Sequence, residues 1–543
     1  MKKLPPATEN SFIDLLNNFF KKNEFTALAL QKFKNSLAKQ NKQSTPRRNS
    51  DILAIYRGLL KEKKISKSSE LERLLRIRKV RTSSGVSVVS LLTKSFPCPG
   101  ECTFCPTEKN MPKSYLSNEP AVMRAIRSKF SPGRQTMVRL MMLEKTGHKT
   151  EKIELIIMGG TFSYLPKSYR TNYIRSVLNT LNSLEIKKQK SQGFSNLDLE
   201  KAKTKNKNSK HKCVGLTLET RPDFVTEKEL IDFRRLGCTR VEIGVQSLSD
   251  EVLKKTKRGH GVSESIRATK LLKDAGFKIV YHLMPGLPGS SVKDDIAMIK
   301  QVFNDENFQP DWLKIYPCVV TKNCELYEDV KKGLFKPLDK EGITSILVEA
   351  KKHIPSYVRL NRIIRDIPST SIEFGSKVTN LRQELEGKVN CRCIRCREIR
   401  ERDFDEKDLV LKKQEYLASG GKEFFLSFED AKNDKIISLL RLRIPSQIFS
   451  REKHFIPALQ DASIIREVHT FGIEENIGQR KENSQHKGLG KRLLEEAEKI
   501  SREMGIKKIA VIAGVGVRGY YEKLGYRLEG EYMVKGLVIA EGQ

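Results

Sequence analysis

The chain has 543 residues, too many for one ordinary hydrophobic core, and this length predicts two or three domains. Its 101 Lys and Arg residues outnumber 66 Asp and Glu residues, and the net charge of +35 favours a polyanionic partner such as nucleic acid, unless the whole proteome is basic. The sequence has neither an apolar run long enough to span a membrane nor a secretory signal, so we expect a soluble cytoplasmic protein with reduced cysteines.

Residues 1–80 are predicted to form a basic helical segment. Apolar residues recur every three or four positions between 12 and 40, with lysines between them, and a polar stretch at 40–50 divides the segment. A lysine-rich helix face is usually just solvated. The total charge nevertheless favours a surface that contacts RNA.

Short apolar strands alternate with helices across residues 81–385. The predicted helices include 226–237 and 263–276, and the predicted strands are 86–92, 153–160, 213–220, 240–247, 278–286 and 312–317. This alternation predicts an α/β fold in which parallel strands and crossover helices form an open or closed barrel. The lysine-rich, low-complexity stretch 186–212 is expected to be a mobile surface insertion.

A first cysteine cluster follows the first predicted strand, in the stretch KSFPCPGECTFCPTEKN (94–110). Cys98, Cys102 and Cys105 have the spacing C-x3-C-x2-C. Three thiolates can hold three irons of a [4Fe–4S] cluster and leave the fourth iron open, whereas a zinc ion would need a distant fourth ligand. The next strand ends in Gly159 and Gly160, which permit a ligand to approach the backbone closely.

A second cysteine cluster lies in the predicted linker 386–410. Cys391, Cys393 and Cys396 have the spacing C-x-C-x2-C, which favours a structural zinc ion over free thiols on a basic loop. The fourth ligand is open among Cys318, Cys324 and His353. Cys213 and Cys238 are expected to be core residues.

Residues 411–543 are predicted to form a separate α+β domain. Strands are expected at 423–430, 435–445, 463–473 and 507–514, with a long helix at 485–505. That helix opens with QHKGLG (485–490), a Q-x-x-G-x-G turn whose backbone N–H groups suit a pyrophosphate. An ordinary helix start is the alternative, because a short glycine pattern is weak evidence.

The first cluster resembles that of the radical S-adenosylmethionine superfamily. The resemblance implies a partial (β/α) TIM-like barrel in which Cys98, Cys102 and Cys105 hold a [4Fe–4S] cluster and Gly159 and Gly160 lie beside the methionine moiety of S-adenosylmethionine. The cluster would generate a 5′-deoxyadenosyl radical from that cofactor, and the protein would supply positioning and exclude water.

The C-terminal region is similar to the GNAT acetyltransferases in its order of strand, glycine turn, helix and strand, and in the ending GVGVRGYYEKLGYRLEG (514–530). This resemblance implies splayed strands that admit the pantetheine arm of acetyl-CoA. It also implies a tyrosine near the thioester, for which Tyr520 and Tyr521 are the candidates. Either tyrosine is otherwise an aromatic residue packed in a core.

A radical domain followed by a GNAT-like domain resembles the Elongator catalytic-subunit family in its single-chain prokaryotic type. Further matching stretches are LTLETRPD (216–223), CTRVEIGVQS (238–247), YHLMPGLPG (281–289) and REVHTFG (466–472). The resemblance implies a tRNA carboxymethyluridine synthase that carboxymethylates C5 of the wobble uridine with acetyl-CoA and the deoxyadenosyl radical. The anticodon stem-loop of tRNA would be the substrate, since a base must be unstacked to reach a buried site.

The family resemblance also implies particular site residues. Acetyl-CoA contacts carry over to Lys152, Glu467, Val468, His469, Thr470, Gly488, Leu489, Gly490, Lys491 and Tyr521. Lys152 would act from the radical domain. Without the resemblance, the preferred interpretation is a solvated lysine at the start of a strand. Lys314 and Tyr316 are weaker candidates for the radical pocket, and His282 and Glu219 are either pocket residues or satisfied core groups.

Two other functions stay open at this point. One is a protein lysine acetyltransferase with a purely structural barrel, and the other is a non-catalytic tRNA-binding scaffold. The favoured hypothesis requires an unidentified electron donor. It involves no membrane and no obligatory accessory subunit, and it allows a homodimer.

Overall fold

The computed structural model describes residues 6–21, 25–78, 82, 84–184, 196–378, 380–400, 402, 404–472 and 488–538. Within these ranges, no helix is both long and apolar enough to cross a membrane. Two sheets, each of seven strands, organise the chain after a group of N-terminal helices.

The N-terminal segment forms a helical unit with its own small core. Its helices are α1 Pro6–Lys21, α2 Ala27–Gln40, α3 Asn49–Lys61 and α4 Ser69–Leu75. The hydroxyls of Thr26 and Ser68 cap α2 and α4 by accepting backbone N–H groups. Phe12, Phe33 and Tyr56 are buried between the helices. The predicted helices and the polar break near 40–50 are therefore confirmed.

The first sheet is entirely parallel, with strands in the order of the chain. Its strands are β1 Ser87–Leu92, β2 Lys152–Met158, β3 Lys212–Thr220, β4 Arg240–Gln246, β5 Lys278–Leu283, β6 Trp312–Ile315 and β7 Arg359–Arg362. In β2, Ile153, Leu155 and Ile157 are buried, whereas Lys152 and Glu154 alternate with them and face a cavity. The six predicted strands are confirmed as a half-barrel, and the polar sequence of β7 concealed the seventh.

Helices lie between consecutive strands of this sheet, as crossover connections between parallel strands require, and two short helices follow β7. They are α5 Pro120–Arg127, α6 Pro132–Lys145, α7 Lys167–Ser183, α8 Asn196–Asn206, α9 Glu227–Arg235, α10 Asp250–Lys255, α11 Val262–Asp274, α12 Val292–Asn304, α13 Leu326–Lys331, α14 Lys340–His353, α15 Leu381–Glu384 and α16 Ile394–Arg397.

The prediction of a mobile insertion at 186–212 is wrong for its described part. Residues 196–206 form α8, which packs on α7, and residue 212 already belongs to β3. Lys203 of α8 is buried and donates to Glu531 Oε1 over 2.6 Å, while Asn206 Oδ1 accepts the backbone N–H of Cys213 over 2.7 Å. Lysine-rich composition concealed a helix that joins the two halves of the molecule. Residues 186–195 lie outside the described ranges.

The second sheet has the order β13-β14-β12-β11-β10-β9-β8. Its strands are β8 Leu409–Ala418, β9 Gly421–Asp430, β10 Lys435–Ile444, β11 Ala462–Thr470, β12 Lys508–Val511, β13 Arg527–Glu529 and β14 Tyr532–Gly536. Its helices are α17 Ser446–Ser450, α18 Leu489–Glu503 and α19 Arg518–Glu522. The predicted α+β fold is confirmed, with β11 and β12 parallel and the other neighbours antiparallel.

A buried ionic network docks the two sheets on each other. Arg466 of β11 donates to Asp311 Oδ1 over 3.0 Å and to Glu423 Oε2 over 2.8 Å. Arg443 of β10 pairs with Asp274 over 2.6 Å, at the end of α11. These side chains are almost completely buried. Removing one partner would leave an uncompensated buried charge, so the network fixes one relative placement of the two halves.

Candidate active site

One cavity of about 2070 Å³ extends from the first cysteine cluster to the second sheet. Cys98, Cys102 and Cys105 line one end, and Val468, Gly490 and Tyr521 line the other. Because β1–β7 are parallel, the cysteine loop that follows β1 lies at their carboxyl ends. The second sheet meets the amino ends, where Lys278 of β5 contacts Glu467 over 3.2 Å. The interior of the half-barrel therefore connects the two ends.

The cysteine loop is surrounded by cationic donors. Arg258 donates from Nη1 to Cys102 Sγ over 3.5 Å. Arg221 is buried, and its Nη1 has no hydrogen-bond partner among the described residues, although a Cβ built on Gly100 would lie only 2.0 Å from it. Three thiolates with arginine donors against them fit an iron–sulfur cluster, whose negative charge and potential depend on such hydrogen bonds. The chemistry of this donor set therefore suits [4Fe–4S].

The two glycines after β2 have backbone conformations that favour glycine. Gly159 has φ +137° and Gly160 has φ +92°. A Cβ on Gly159 would lie 2.0 Å from Thr93 Oγ1, whereas Gly160 lines the cavity. The sequence predicts that this turn lets a ligand approach the backbone closely. The backbone conformations are suitable for such an approach, and the contact itself stays a prediction.

Ionisable side chains on β3–β6 meet inside the half-barrel. Glu242 Oε2 contacts Lys314 Nζ and lies 2.8 Å from His282 Nε2. Burial opposes the ionisation of Glu242, but the charge of Lys314 and the hydrogen bond from His282 hold its pKa below the ordinary value. Burial also lowers the pKa of His282, assisted by Lys314. The site thus contains a carboxylate that stays charged beside an ammonium group.

The pKa of Glu219 of β3 is shifted in the opposite direction to that of Glu242. Burial and the negative charge of Glu242 raise the pKa of Glu219 to about 7, and Tyr115 donates its hydroxyl to Glu219 over 2.8 Å. Two carboxyl groups that differ in this way, in one pocket, are typical of an active site. The side chains of Glu219, Glu242 and His282 have ligand atoms within 4.8 Å of one another. The sequence analysis did not single out Glu242, because it lies within an ordinary strand pattern.

Tyr316 also lines this pocket and packs edge-on against His282, with ring centroids 5.3 Å apart.

The second end of the cavity is a gap between β11 and β12. Their parallel pairing ends at Ile465 and Val511, while β11 continues to Thr470. Its last residues, Glu467–Thr470, line the cavity together with Gly490 and the two tyrosines. A Cβ on Gly490 would lie 3.7 Å from the Tyr520 hydroxyl. A gap of this shape, closed on one side by the start of a helix, fits an extended pantetheine arm.

Glu467 and His469 are held by contacts across the domain boundary. Burial opposes the ionisation of Glu467, but Lys278 and Arg441 lower its pKa to about 2. His469 Nε2 lies 2.8 Å from the carbonyl of Ser84, just before β1. Both side chains are thus part of the junction as well as of the cavity wall, so a change at either would alter the packing of the domains.

The tyrosines and the start of α18 complete this end. Tyr521 is buried and packs edge-on against the more exposed Tyr520, with ring centroids 5.2 Å apart. Burial raises the pKa of both hydroxyls, which stay protonated and able to donate. Gly488 has φ +81° and precedes buried Leu489. Exposed Lys491 pairs with Glu495 over 3.5 Å. Gln485–Lys487 of the glycine signature lie outside the described residues.

Lys152, the first residue of β2, is half-buried and lines the cavity from the radical side. The sequence expectation that it acts from this sheet at the acetyl-CoA end is compatible with that place, because β2 begins where the second sheet docks. Lys314 lies deeper, next to Glu242. Lys152 and Lys314 therefore occupy different levels of the same interior.

The second cysteine cluster is compact and separate. The Sγ atoms of Cys391, Cys393 and Cys396 lie within 4.8 Å of one another, beside β7. This set fits three thiolate ligands of one ion. None of the proposed fourth ligands belongs to it: Cys318 and Cys324 pack with Cys102 in another apolar cluster, and His353 Nδ1 lies 2.8 Å from the Glu349 carbonyl.

Comparisons with known proteins cover both halves of the chain. A model of the Radical SAM superfamily matches residues 95–302, one of the Radical SAM C-terminal domain matches 310–390, and one of the Acetyltransferase (GNAT) family matches 394–526. The tRNA uridine(34) acetyltransferase of Methanocaldococcus infernus is 45% identical over 511 residues, covering 90% of this chain and 91% of the relative.

Eukaryotic relatives and a solved structure agree with these matches. Elongator complex protein 3 of Schizosaccharomyces pombe is 38% identical over 541 residues, covering 95% of each chain. The solved structure of the archaeal Methanocaldococcus infernus Elp3 with an N-terminal deletion superposes with a TM-score of 0.70 at 42% identity. It covers 84% of this chain and 100% of that chain.

Proposed function

The chain belongs to the family of the tRNA uridine(34) acetyltransferases and Elongator complex protein 3, and on that premise we propose that it carboxymethylates C5 of the wobble uridine of tRNA with acetyl-CoA. The observation that carries the proposal is the cavity itself, because it joins the first cysteine cluster to the gap between β11 and β12. Two independent enzymes on one chain would not need a shared interior.

At the carboxyl ends of β1–β7, Cys98, Cys102 and Cys105 would hold a [4Fe–4S] cluster, with Gly159 and Gly160 beside S-adenosylmethionine. The bound pair supplies radical chemistry that removes a hydrogen from an unactivated carbon. Arg258 donates to the Cys102 sulfur, and Glu242 keeps Lys314 in place. These residues hold charge in a buried interior, where electrostatic interactions are strong.

At the amino ends, the residues of β11 and the start of α18 would bind acetyl-CoA. Glu467–Thr470, Gly488–Lys491 and Tyr521 form this binding surface in our proposal, with Lys152 reaching it from β2. Tyr520 and Tyr521 are the candidate donors to the thioester oxygen, since their hydroxyls keep their protons.

The substrate in this proposal is the anticodon stem-loop of a tRNA. The basic helices α1–α4 and the net charge of +35 support a polyanionic ligand. An external one-electron donor is required to start the radical reaction. The chain would act without obligatory accessory subunits, as a monomer or a homodimer, which sedimentation of the purified protein distinguishes.

The compact cysteine set would hold a structural zinc ion. Cys391, Cys393 and Cys396 supply three soft ligands where the two sheets meet, and the fourth position stays open to a ligand other than those the sequence suggested.

The test is anaerobic incubation of the reconstituted protein with tRNA, acetyl-CoA, S-adenosylmethionine and a reductant. Nucleosides of the digested tRNA are then read by mass spectrometry, beside a Cys102→Ala control. A 5-carboxymethyluridine peak that is absent from the control is the expected result. Release of CoA by tRNA without modified uridine would contradict the radical half of the proposal, and tRNA binding with neither product would favour the scaffold.

A further inference from the structure

Trp312, the first residue of β6, lies in the wall of the cavity among three cations. The guanidinium of Arg240 stands 4.1 Å from the centroid of its ring, that of Arg359 stands 5.4 Å from it, and Lys278 Nζ stands 5.9 Å from it. These cations are the first residues of β4, β7 and β5. They form a cationic layer at the amino ends of the strands, which we call the Trp312 layer.

Two of these cations are already neutralised by carboxylates. Arg359 Nη2 pairs with Glu398 over 2.8 Å, and Lys278 Nζ pairs with Glu467 over 3.2 Å. Their charges and donors are thus used in holding the junction between the sheets. They leave little capacity to bind a further anion.

Arg240 differs from both neighbours. Its side chain is 1% exposed, and its Nη1 forms an ion pair with Glu154, yet none of its three nitrogens makes a hydrogen bond among the described residues. A buried guanidinium with unpaired N–H groups costs free energy unless a ligand or ordered water satisfies them. Arg240 lines the cavity, and a ligand reaches these buried donors once a neighbouring side chain shifts slightly.

The place of Arg240 limits what this ligand can be. β4 runs for 7 residues from Arg240 to Gln246, so the two ends of the half-barrel are separated by roughly 20 Å. In the proposed reaction the acetyl unit enters at the amino ends, where it meets the Trp312 layer, and it reacts near the carboxyl ends. Its one polar feature is an acyl oxygen, which accepts hydrogen bonds from N–H donors such as those of a guanidinium.

We infer that Arg240, fixed in its plane by Trp312 and Glu154, is a subsite for the acyl oxygen of the acetyl unit inside the half-barrel. This inference rests on the proposed function, because it needs acetyl-CoA at the amino ends of the strands. Arg240 is a positioning residue for the acetyl unit. The subsite holds a small carboxylate or acyl group, and it excludes a phosphate-bearing nucleotide by its burial.

Trp312 is the single tryptophan of the chain, so selectively excited fluorescence reports on this layer alone. The first experiment titrates the full-length protein with sodium acetate, against sodium chloride at equal ionic strength. We expect a saturable change of Trp312 emission with acetate and none with chloride. An identical response to both salts would mean that water alone satisfies Arg240 and would overturn the inference.

Variants then assign the response to the guanidinium. Arg240→Gln should weaken acetate binding by about 10- to 100-fold, and Arg240→Lys should retain part of it. Arg359→Gln is the matched control, since Arg359 stands over the same ring but is already paired, and its acetate affinity should match the wild type. Equal affinity in the Arg240→Gln protein would contradict the subsite.

Loss of the Arg240 charge leaves Glu154 unpaired, and that protein can fail to fold. The double variant Glu154→Gln/Arg240→Gln removes both charges together, and near-ultraviolet circular dichroism checks its fold. It should lose the acetate response and also the difference in Trp312 emission between acetyl-CoA and CoA, while CoA binding persists. An acetate response that survives in the folded double variant would refute the inference.

These binding measurements need neither tRNA nor the iron–sulfur cluster. A failure of the subsite can therefore be distinguished from a failure of the proposed reaction. A wild-type acetate response without carboxymethyluridine formation would keep the subsite and reject the reaction. Where the reaction proceeds, Arg240→Gln should raise KM for acetyl-CoA about tenfold or lower kcat, with unchanged tRNA affinity. Unaltered kinetics would count against a role in positioning.

Discussion

Two sets of three cysteines with similar spacing lie in different surroundings. Cys98, Cys102 and Cys105 follow β1 in a loop that lines the cavity, where Arg258 donates to one sulfur. Cys391, Cys393 and Cys396 instead bring their sulfur atoms within 4.8 Å of one another at the junction of the two sheets. The first set lines the cavity, and the second lies between the two halves of the framework.

The difference shows that cysteine spacing alone does not assign a role. A cube of four irons takes each thiolate on a different metal and can leave one iron open for chemistry, whereas a single zinc ion draws its ligands together. Loss of the first set should therefore affect the reaction, and loss of the second should affect stability.

The largest expected effect comes from Cys102→Ala. This variant should lose bound iron and all carboxymethyluridine formation, because three thiolates are the minimum that the cluster needs, while the fold is kept. Iron analysis and nucleoside mass spectrometry measure both quantities. The matched control is Cys324→Ala, since Cys324 packs in the same apolar cluster as Cys102 but lies outside the C-x3-C-x2-C spacing. Equal loss in both variants would remove the distinction between ligand and core cysteine.

Cys393→Ser should have the converse effect. We expect loss of bound zinc and a fall in Tm of at least about 4 °C, because the proposed ion would tie β7 to the start of the second sheet. Iron should be retained at the first site. Metal analysis and thermal unfolding check this result. Unchanged Tm after complete loss of zinc would show that the second set is not structural.

The sequence was sufficient to predict the two sheets and both cysteine sets. Strands such as β2 and β5 carry regular apolar residues, and each motif is local in the chain. β8 was missed because it is largely exposed and mixes lysines with apolar residues. β13 has only 3 residues, too few for a pattern.

The interior of the site could not be predicted in the same way. Glu242, Arg240 and Trp312 derive their importance from neighbours on other strands, and no spacing along the chain encodes those contacts. The lysine-rich composition of α8 likewise concealed Lys203, whose charge is neutralised by Glu531 more than three hundred residues away. Such pairs are visible only when the fold brings them together.

A smaller effect is the pH dependence of the free energy of unfolding, which we expect from a carboxyl group in the cavity that the first set lines. Glu219, near the first set, has a pKa raised to about 7 by burial and by Glu242, with Lys314 and Arg365 opposing the shift. Between the ordinary carboxyl pKa and about pH 7, the native state binds more protons than the unfolded state. The free energy of unfolding should therefore fall by roughly 3 kcal/mol as pH rises through this window.

Glu219→Gln should remove this fall, because the glutamine does not titrate. Denaturant unfolding at several pH values from about 5 to 8 measures it, with Glu415→Gln as the control at an exposed carboxylate. A pH dependence that persists unchanged in the Glu219→Gln protein would show that other carboxyl groups cause it.

The smallest effect concerns the cations around the second set. Arg382 donates to the Leu360 carbonyl over 3.1 Å, and its charge lies near all three cysteines. Arg382→Gln should therefore weaken zinc binding about tenfold, because thiolates lose a stabilising charge, and leave iron content and uridine modification unchanged. Competition with a chelator measures the affinity. Equal affinity in both proteins would mean that the three sulfurs and their fourth ligand hold the ion without help from the guanidinium, and a loss of iron would contradict the separation of the two sites.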